Sequence, residues 1–273
     1  GTFVSNGGTL DIGGSPTAQA VNLNAELITV SGAGVNGRGA LINGSPISQY
    51  NALRLVTLAG DATFGGELSG ARWDLRNVNG TSTFTMNGFN LTKVGLNQVG
   101  LTGVNVLPGA GNIDIKEGSL TAEVGTKMGG SSANTLTVRN GAYFDFYSLS
   151  SPIVWSLVMD DGARLYSRNG NVTNQNIWAG PVTLNGSAKM DAAGNTCFSI
   201  SGDISGASGN VIKIGSGSTC FTGASNTYGG LTTVSNGTLY AYHTGSLPGY
   251  AEGKLTVAGG GTLAVPASNG ALG

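Results

Sequence analysis

Charge is scarce in this sequence. Asp, Glu, Lys and Arg make up 10% of its 273 residues and leave a net charge of −1, against about 25% charged residues in an ordinary domain. No basic patch is visible, so a nucleic-acid partner has no electrostatic footprint. No cationic amphipathic helix is visible, so membrane-surface binding has none either. Long apolar runs are also lacking. The longest lies near Ile153 to Met159, far short of the roughly 20 residues that a spanning helix needs. Cysteine is nearly absent: Cys197 and Cys220 do not make a disulfide scaffold. The chain starts at Gly1 rather than at Met, which points to a processed product or an excised piece of a longer chain, with any export signal or anchor removed.

Low charge and 7% aromatics would suit a disordered chain. Two features argue otherwise. Hydrophobic residues make up 40% of the sequence, and Val, Leu and Ile recur at regular spacing, as in a folded all-β chain. Glycine is abundant, with 48 residues against a usual share of about 7%. The surface is then made polar by Asn, Ser and Thr rather than by Lys and Glu.

The recurring unit is an apolar-x-apolar pair, a Gly/Asn corner, and another apolar residue. It reads clearly at Val56 to Phe64, Leu136 to Phe144, Leu157 to Leu165, Val182 to Met190 and Leu255 to Leu263. Fainter copies start near Thr2, Ile28, Phe84, Ile113, Val211 and Thr232. Starts fall roughly 20 to 30 residues apart, the period of a solenoid. Apolar spacing within a unit is two, not 3.6, so the coils are β. The expectation is a single all-β domain over residues 1–273. It is a right-handed parallel β-helix (β-solenoid) of roughly 10 to 11 coils without substantial helix, uncapped at both ends. An antiparallel sandwich is the minority alternative, with turn signals every 8 to 12 residues. Ser45 to Ala52 reads as a loop. The aromatic stretch from Tyr143 to Trp155 reads as core packing, or else as an exposed binding patch.

Catalytic readings find little support. His243 sits beside a Gly-Ser-Leu-Pro-Gly turn with no nucleophile elbow. Asp160, Asp161, Asp191 and Asp203 could fall near one another after coiling, like the clustered acids of polysaccharide-cleaving β-helices, but Asp160-Asp161-Gly162 reads as a corner, where Asp bonds to local backbone. The Lys213-x-Gly-x-Gly turn has no P-loop Lys-Ser/Thr pair, and no tandem calcium-roll repeat is present. The expectation is a chain that is not an enzyme and takes no cofactor or metal. Cys197 and Cys220 share a Thr-Cys-Phe context about one coil apart. Stacked in neighbouring strands, their Cα atoms would lie about 4.8 Å apart, inside the disulfide range of about 4.4 to 6.8 Å. A disulfide and a pair of buried thiols both remain open.

The segment from Gly202-Asp203-Ile204-Ser205-Gly206 through Ile212-Lys213-Ile214-Gly215-Ser216-Gly217 to residues 221–239 carries a resemblance. It resembles the autotransporter-associated β-strand repeat of bacterial surface proteins. The matching positions are Gly223, Asn226, Thr227, Tyr228, Gly229, Gly230, Val234, Gly237 and Leu239. Leu231 stands where Thr is usual, and one residue before it is missing. Gly39 to Asn43, Val56 to Gly65 and Asn87 to Leu91 look like degenerate coils of the same family. The resemblance is strong over residues 202–239 and loose elsewhere. It implies a β-helix, an extracellular place on a bacterial cell surface, and a structural or adhesive role. In that family an Asn-Gly-Ala-Leu-Gly ending is followed by a segment like Gly1 to Ile12. Copies would then stack head to tail through Phe3, Val4, Leu10, Ile12, Leu263, Val265 and Leu272, or the chain would continue in a longer passenger. A filament or stalk subunit is the expected function. An adhesin binding glycans or surface proteins is the alternative, with neither nucleic acid nor membrane insertion involved.

Overall fold

A computed structural model describes residues 1–13, 20–169, 176–249 and 252–265. The two-residue alternation of the sequence is the alternation of burial. In the strand Leu55–Gly65, Val56 and Leu58 are fully buried and Thr57 between them is not. In Ile113–Ile115 both isoleucines point inward and Asp114 outward. β-Branched residues suit such a half-buried pleat. Every described strand pairing is parallel, which removes the sandwich alternative. The strands wind as a β-solenoid of about 11 turns. Side-chain bonds between neighbouring coils join residues 20 to 30 apart in sequence. Among the described residues helix is confined to 3₁₀ turns at Val35–Gly37, Thr244–Ser246 and Glu252.

The chain forms two compact units. The first comprises Gly1–Gly130, Asn134–Leu136 and Ala142–Phe144. One of its sheets runs in the order Thr2–Val4, Leu27–Gly32, Leu55–Gly65, Leu91–Lys93, Ile113–Ile115. Another runs Gln49–Leu53, Arg72–Arg76, Gln98–Thr102, Ser119–Glu123, with Gln98 opposite both Arg72 and Ser119. Phe64 packs on Trp73 at 5.2 Å between ring centroids, and the Trp73 indole donates to the Gly65 carbonyl.

The second unit comprises Ser131–Ala133, Thr137–Gly141 and Asp145–Gly273. Its three sheets hold Ser156–Met159, Val182–Leu184 and Ile204–Ser205; then Arg164–Asn169, Ser187–Ala192, Asn210–Ile214, Thr232–Val234 and Leu255–Val257; then Asn176–Trp178, Cys197–Ile200, Ser218–Phe221, Gly237–Ala241 and Gly261–Ala264. Of the aromatic stretch, Phe146 and Trp155 are buried in this unit, as Phe144 is in the first, while Tyr143 and Tyr147 are half-buried, so its phenylalanines and tryptophan are core. Phe146 meets Phe198 edge-on at 5.3 Å, and Trp178 donates to the Trp155 carbonyl.

Two local expectations change. Gly60 and Asp61 do not end the strand: Leu55–Gly65 runs through them, with three residues, Ala59 to Asp61, set against one, Ser31, so the expected corner is a bulge within one long strand. Its first half pairs with Leu27–Gly32, and its far end pairs with Leu41–Ile42. The segment read as a loop at Ser45 to Ala52 becomes strand from Gln49 onward, because Gln49–Leu53 finds a parallel partner in Arg72–Arg76.

Candidate functional site

The repeat-motif positions join coils. Asn226 is buried, and its side chain serves both neighbours: Nδ2 donates to the Ser246 carbonyl and Oδ1 accepts from the Ile204 N–H, each at 2.8 Å. The Thr227 N–H donates to the Ile204 carbonyl. Tyr228 is inside, its hydroxyl 2.7 Å from that of Thr232, and burial pushes its phenol up to about 12. Gly229 must be glycine, because a Cβ there would stand 2.2 Å from the Ala207 carbonyl oxygen. Gly230 and Gly223 likewise press against Asn210 and Gly202 of the preceding coil. Val234 and Leu239 are core residues.

The Lys213 turn is a cage. Lys213 is fully buried, and its Nζ donates to the carbonyls of Ile214, Gly215 and Asn236 at 2.6, 2.8 and 3.0 Å. Gly237, at φ 66°, brings its backbone against that ammonium. Lys93 repeats the arrangement on Val94, Gly95 and Glu117. Burial pushes Lys213 down to about 8 and Lys93 down to about 7, partly countered by Asp191 and Glu117 respectively. Three carbonyl acceptors act in the other direction, favouring the charged form. The sequence signal for this cage, Lys-x-Gly, is present at Lys93-Val94-Gly95 as well.

Cys197 and Cys220 lie on the outer face of the third sheet. Their matching Thr-Cys-Phe contexts do not align: Cys197 pairs with Ser218, and Cys220 pairs with Ser199 and Tyr240. They are diagonal neighbours, yet their Sγ atoms are 3.0 Å apart as two free thiols. Cys197 is half-buried and Cys220 buried. Their mutual hydrogen bond holds the Cys197 thiol below its ordinary range and raises that of Cys220. A groove of about 560 Å³ opens over them, walled by Asn195, Ser216, Tyr240 and Tyr242. The two tyrosine rings are 6.2 Å apart. This groove is the candidate binding site of the second unit.

No protein-family model matches this chain, and no curated protein or solved structure matches it.

One ionic cluster escaped the sequence reading. In the first unit, Arg72 grips Glu123 with both Nη atoms, at 2.9 and 2.7 Å, and also bonds Asp74. Arg76 bonds Asp74 at 2.6 Å, and the Tyr50 ring lies 5.6 Å from the Arg72 guanidinium. Gly100 makes the reach possible, since a Cβ there would stand 2.2 Å from Asp74 Oδ1. Burial opposes the Arg72 charge, but the bonds to Glu123 and Asp74 outweigh it and raise its pKa. Burial raises the Asp74 carboxyl against the pull of both arginines. Two cations face two anions, so the cluster is internally satisfied, as a buried network must be. His243 heads the turn Thr244–Ser246. Among the described residues no group of three or more His, Cys, Asp or Glu is arranged to hold a metal.

The end residues divide. Phe3 is 80% exposed, Val265 is 39% exposed, and Leu10 and Leu263 are half-buried. Val4 and Ile12, expected at an end-to-end face, are buried at the core instead, because inward positions of a coil are filled before its edge is. Leu272 lies outside the described residues.

Proposed function

We propose that this chain is an extracellular structural protein of a bacterial surface, a β-solenoid stalk or head-to-tail filament subunit. One observation carries the reading. Among the described residues, Thr2–Val4 is the outermost strand of its sheet, as Leu255–Val257 and Gly261–Ala264 are of theirs. An outermost strand carries backbone groups that a further strand can pair with. Phe3 and Val257 add exposed apolar surface at these edges. Pairing of one edge with a different edge of the next copy is heterologous and propagates. The surface location is supported by the family resemblance and by an exterior of Asn, Ser and Thr. Negative-stain electron microscopy over a range of concentrations tests it. Uniform fibres that lengthen with concentration are expected, and Phe3→Asp should shorten them. Discrete particles at every concentration would overturn the filament.

A second reading, an adhesin module, is favoured by the groove beside Tyr240 and Tyr242, since neutral polar groups with aromatic faces suit sugars. Glycan-array binding lost in Tyr240→Ala would support it.

A further inference from the structure

We propose that Cys197 and Cys220 are a thiol–disulfide exchange pair, in which Cys197 attacks a low-molecular-weight disulfide in the groove and Cys220 resolves the mixed disulfide. The argument starts from position. The strands Cys197–Ile200 and Ser218–Phe221 are parallel neighbours in successive coils. Phe198 and Phe221 are buried in the core, so the cysteines beside them along the pleat point to the other face. The two sulfurs stand 3.0 Å apart as free thiols. A bond of about 2.05 Å then needs side-chain rotation, with no slip of either strand. This contact is what a resolving step requires, because the second sulfur already lies against the first.

Access separates the two roles. Cys197 is half-buried on the groove wall, whereas Cys220 is 1% exposed. A disulfide entering from solvent meets Cys197 first, and exchange follows access as well as thiolate character. The hydrogen bond between the two sets the same order, lowering the Cys197 thiol and raising that of Cys220. Among the described residues the wall of this groove of about 560 Å³ carries no charged side chain, so it sets no electrostatic barrier against a small charged disulfide. The steps balance. The Cys197 thiolate displaces one RS⁻ from R–S–S–R and leaves Cys197–S–S–R. The Cys220 sulfur then attacks the Cys197 sulfur and displaces the second RS⁻. The two protons given up by the cysteines pass to the two departing thiolates. The chain loses two electrons, the small disulfide gains them, and the product bond ties one coil to the next across 23 residues. With one of its sulfurs on the groove wall, that bond stays open to attack by a small thiol, so the exchange runs in both directions.

The test is reaction of the reduced full chain with a chromogenic small disulfide, dithiobis(nitrobenzoate). Two equivalents of thionitrobenzoate should be released per chain, and intact mass should show a chain two hydrogens lighter with no label retained. Cys220→Ser should release one equivalent and keep the label on Cys197, because nothing resolves it. Cys197→Ser should react at least about 10-fold more slowly than Cys220→Ser, since burial denies the reagent access to Cys220. Circular dichroism checks that both variants fold, and the arms run on the parent chain stand without them. Mixtures of reduced and oxidised glutathione should set the oxidised fraction of the folded parent reversibly. The proposal is overturned if the parent releases no thionitrobenzoate, or if it retains label on both sulfurs. It is also overturned if folded Cys197→Ser reacts as fast as Cys220→Ser, or if glutathione fails to reduce the bond in the folded parent.

Discussion

Asn226→Leu tests whether single side chains hold adjacent coils together. Asn226 donates to the Ser246 carbonyl and accepts from the Ile204 N–H, both at 2.8 Å. Leucine occupies similar space but offers neither function. One buried donor and one buried acceptor are left unpaired, each costing about 1 to 3 kcal/mol, so the loss should be about 2 to 6 kcal/mol. A stack of coils need not unfold in one step, so a global midpoint alone would blur the effect. Native-state hydrogen exchange reads it locally. The Ile204 amide, deprived of its acceptor, should exchange at least about 30-fold faster, since every 1.4 kcal/mol is tenfold. Amides of the first unit, such as Ile115, should keep their rates. An Ile204 amide as protected in the variant as in the parent would refute the reasoning.

Three further outcomes follow from the same structure. Gly100→Ala places a Cβ 2.2 Å from Asp74 Oδ1 and 2.6 Å from Arg72 Nη2; urea titration should show a loss of about 1 to 3 kcal/mol, as for overpacking. Val124 holds φ 47° while half-exposed, a conformation a β-branched residue resists, whereas Asn24, Asn36, Asn79 and Asn87 adopt it readily. Val124→Asn should therefore raise stability by about 1 kcal/mol in the same assay. Lys93 and Lys213 are lowered from 10.5 to about 7 and about 8. Between those values and 10.5 the unfolded chain binds more protons than the folded one, so stability should rise with pH across that window. The urea midpoint should climb from pH 7 to pH 10, and should climb less in Lys93→Met and Lys213→Met. A flat profile would mean that the carbonyl cages fully offset the cost of burial.

The coil and its period were legible because they are local. Val182-Thr183-Leu184 and Leu157-Val158-Met159 advertise their inward faces by spacing alone, and the two stack in the structure, Leu157 on Val182. The stitching role of Asn226 had its signal in the motif that surrounds it. Register between coils was not legible, since it depends on every coil's length and those lengths vary. Cys197 and Cys220 therefore looked equivalent and are offset by two residues. Arg72 and Glu123, 51 residues apart, meet across an intervening strand, through the notch at Gly100. Gly60 marks a bend, as glycine usually does, but as a bulge inside Leu55–Gly65 rather than a break between two strands, because both halves keep parallel partners. Burial of a lysine is equally hard to foresee, because the carbonyls that accept its protons belong partly to the next coil.

The carbonyl cages and asparagine bridges constrain how such a chain changes length over evolutionary time. Lys213 reaches from its own corner to Asn236, and Asn226 reaches from Ile204 to Ser246. Each contact counts residues from one coil to the next. A one-residue insertion inside a strand between those partners would turn its inward side chains outward, whereas a corner absorbs one: the cage of Lys93 spans 24 residues to Glu117 and that of Lys213 spans 23 to Asn236. Gain or loss of an entire turn leaves every such count intact. Lineages carrying this architecture should therefore differ by whole turns, copied or deleted as units, with single-residue variation confined to corners.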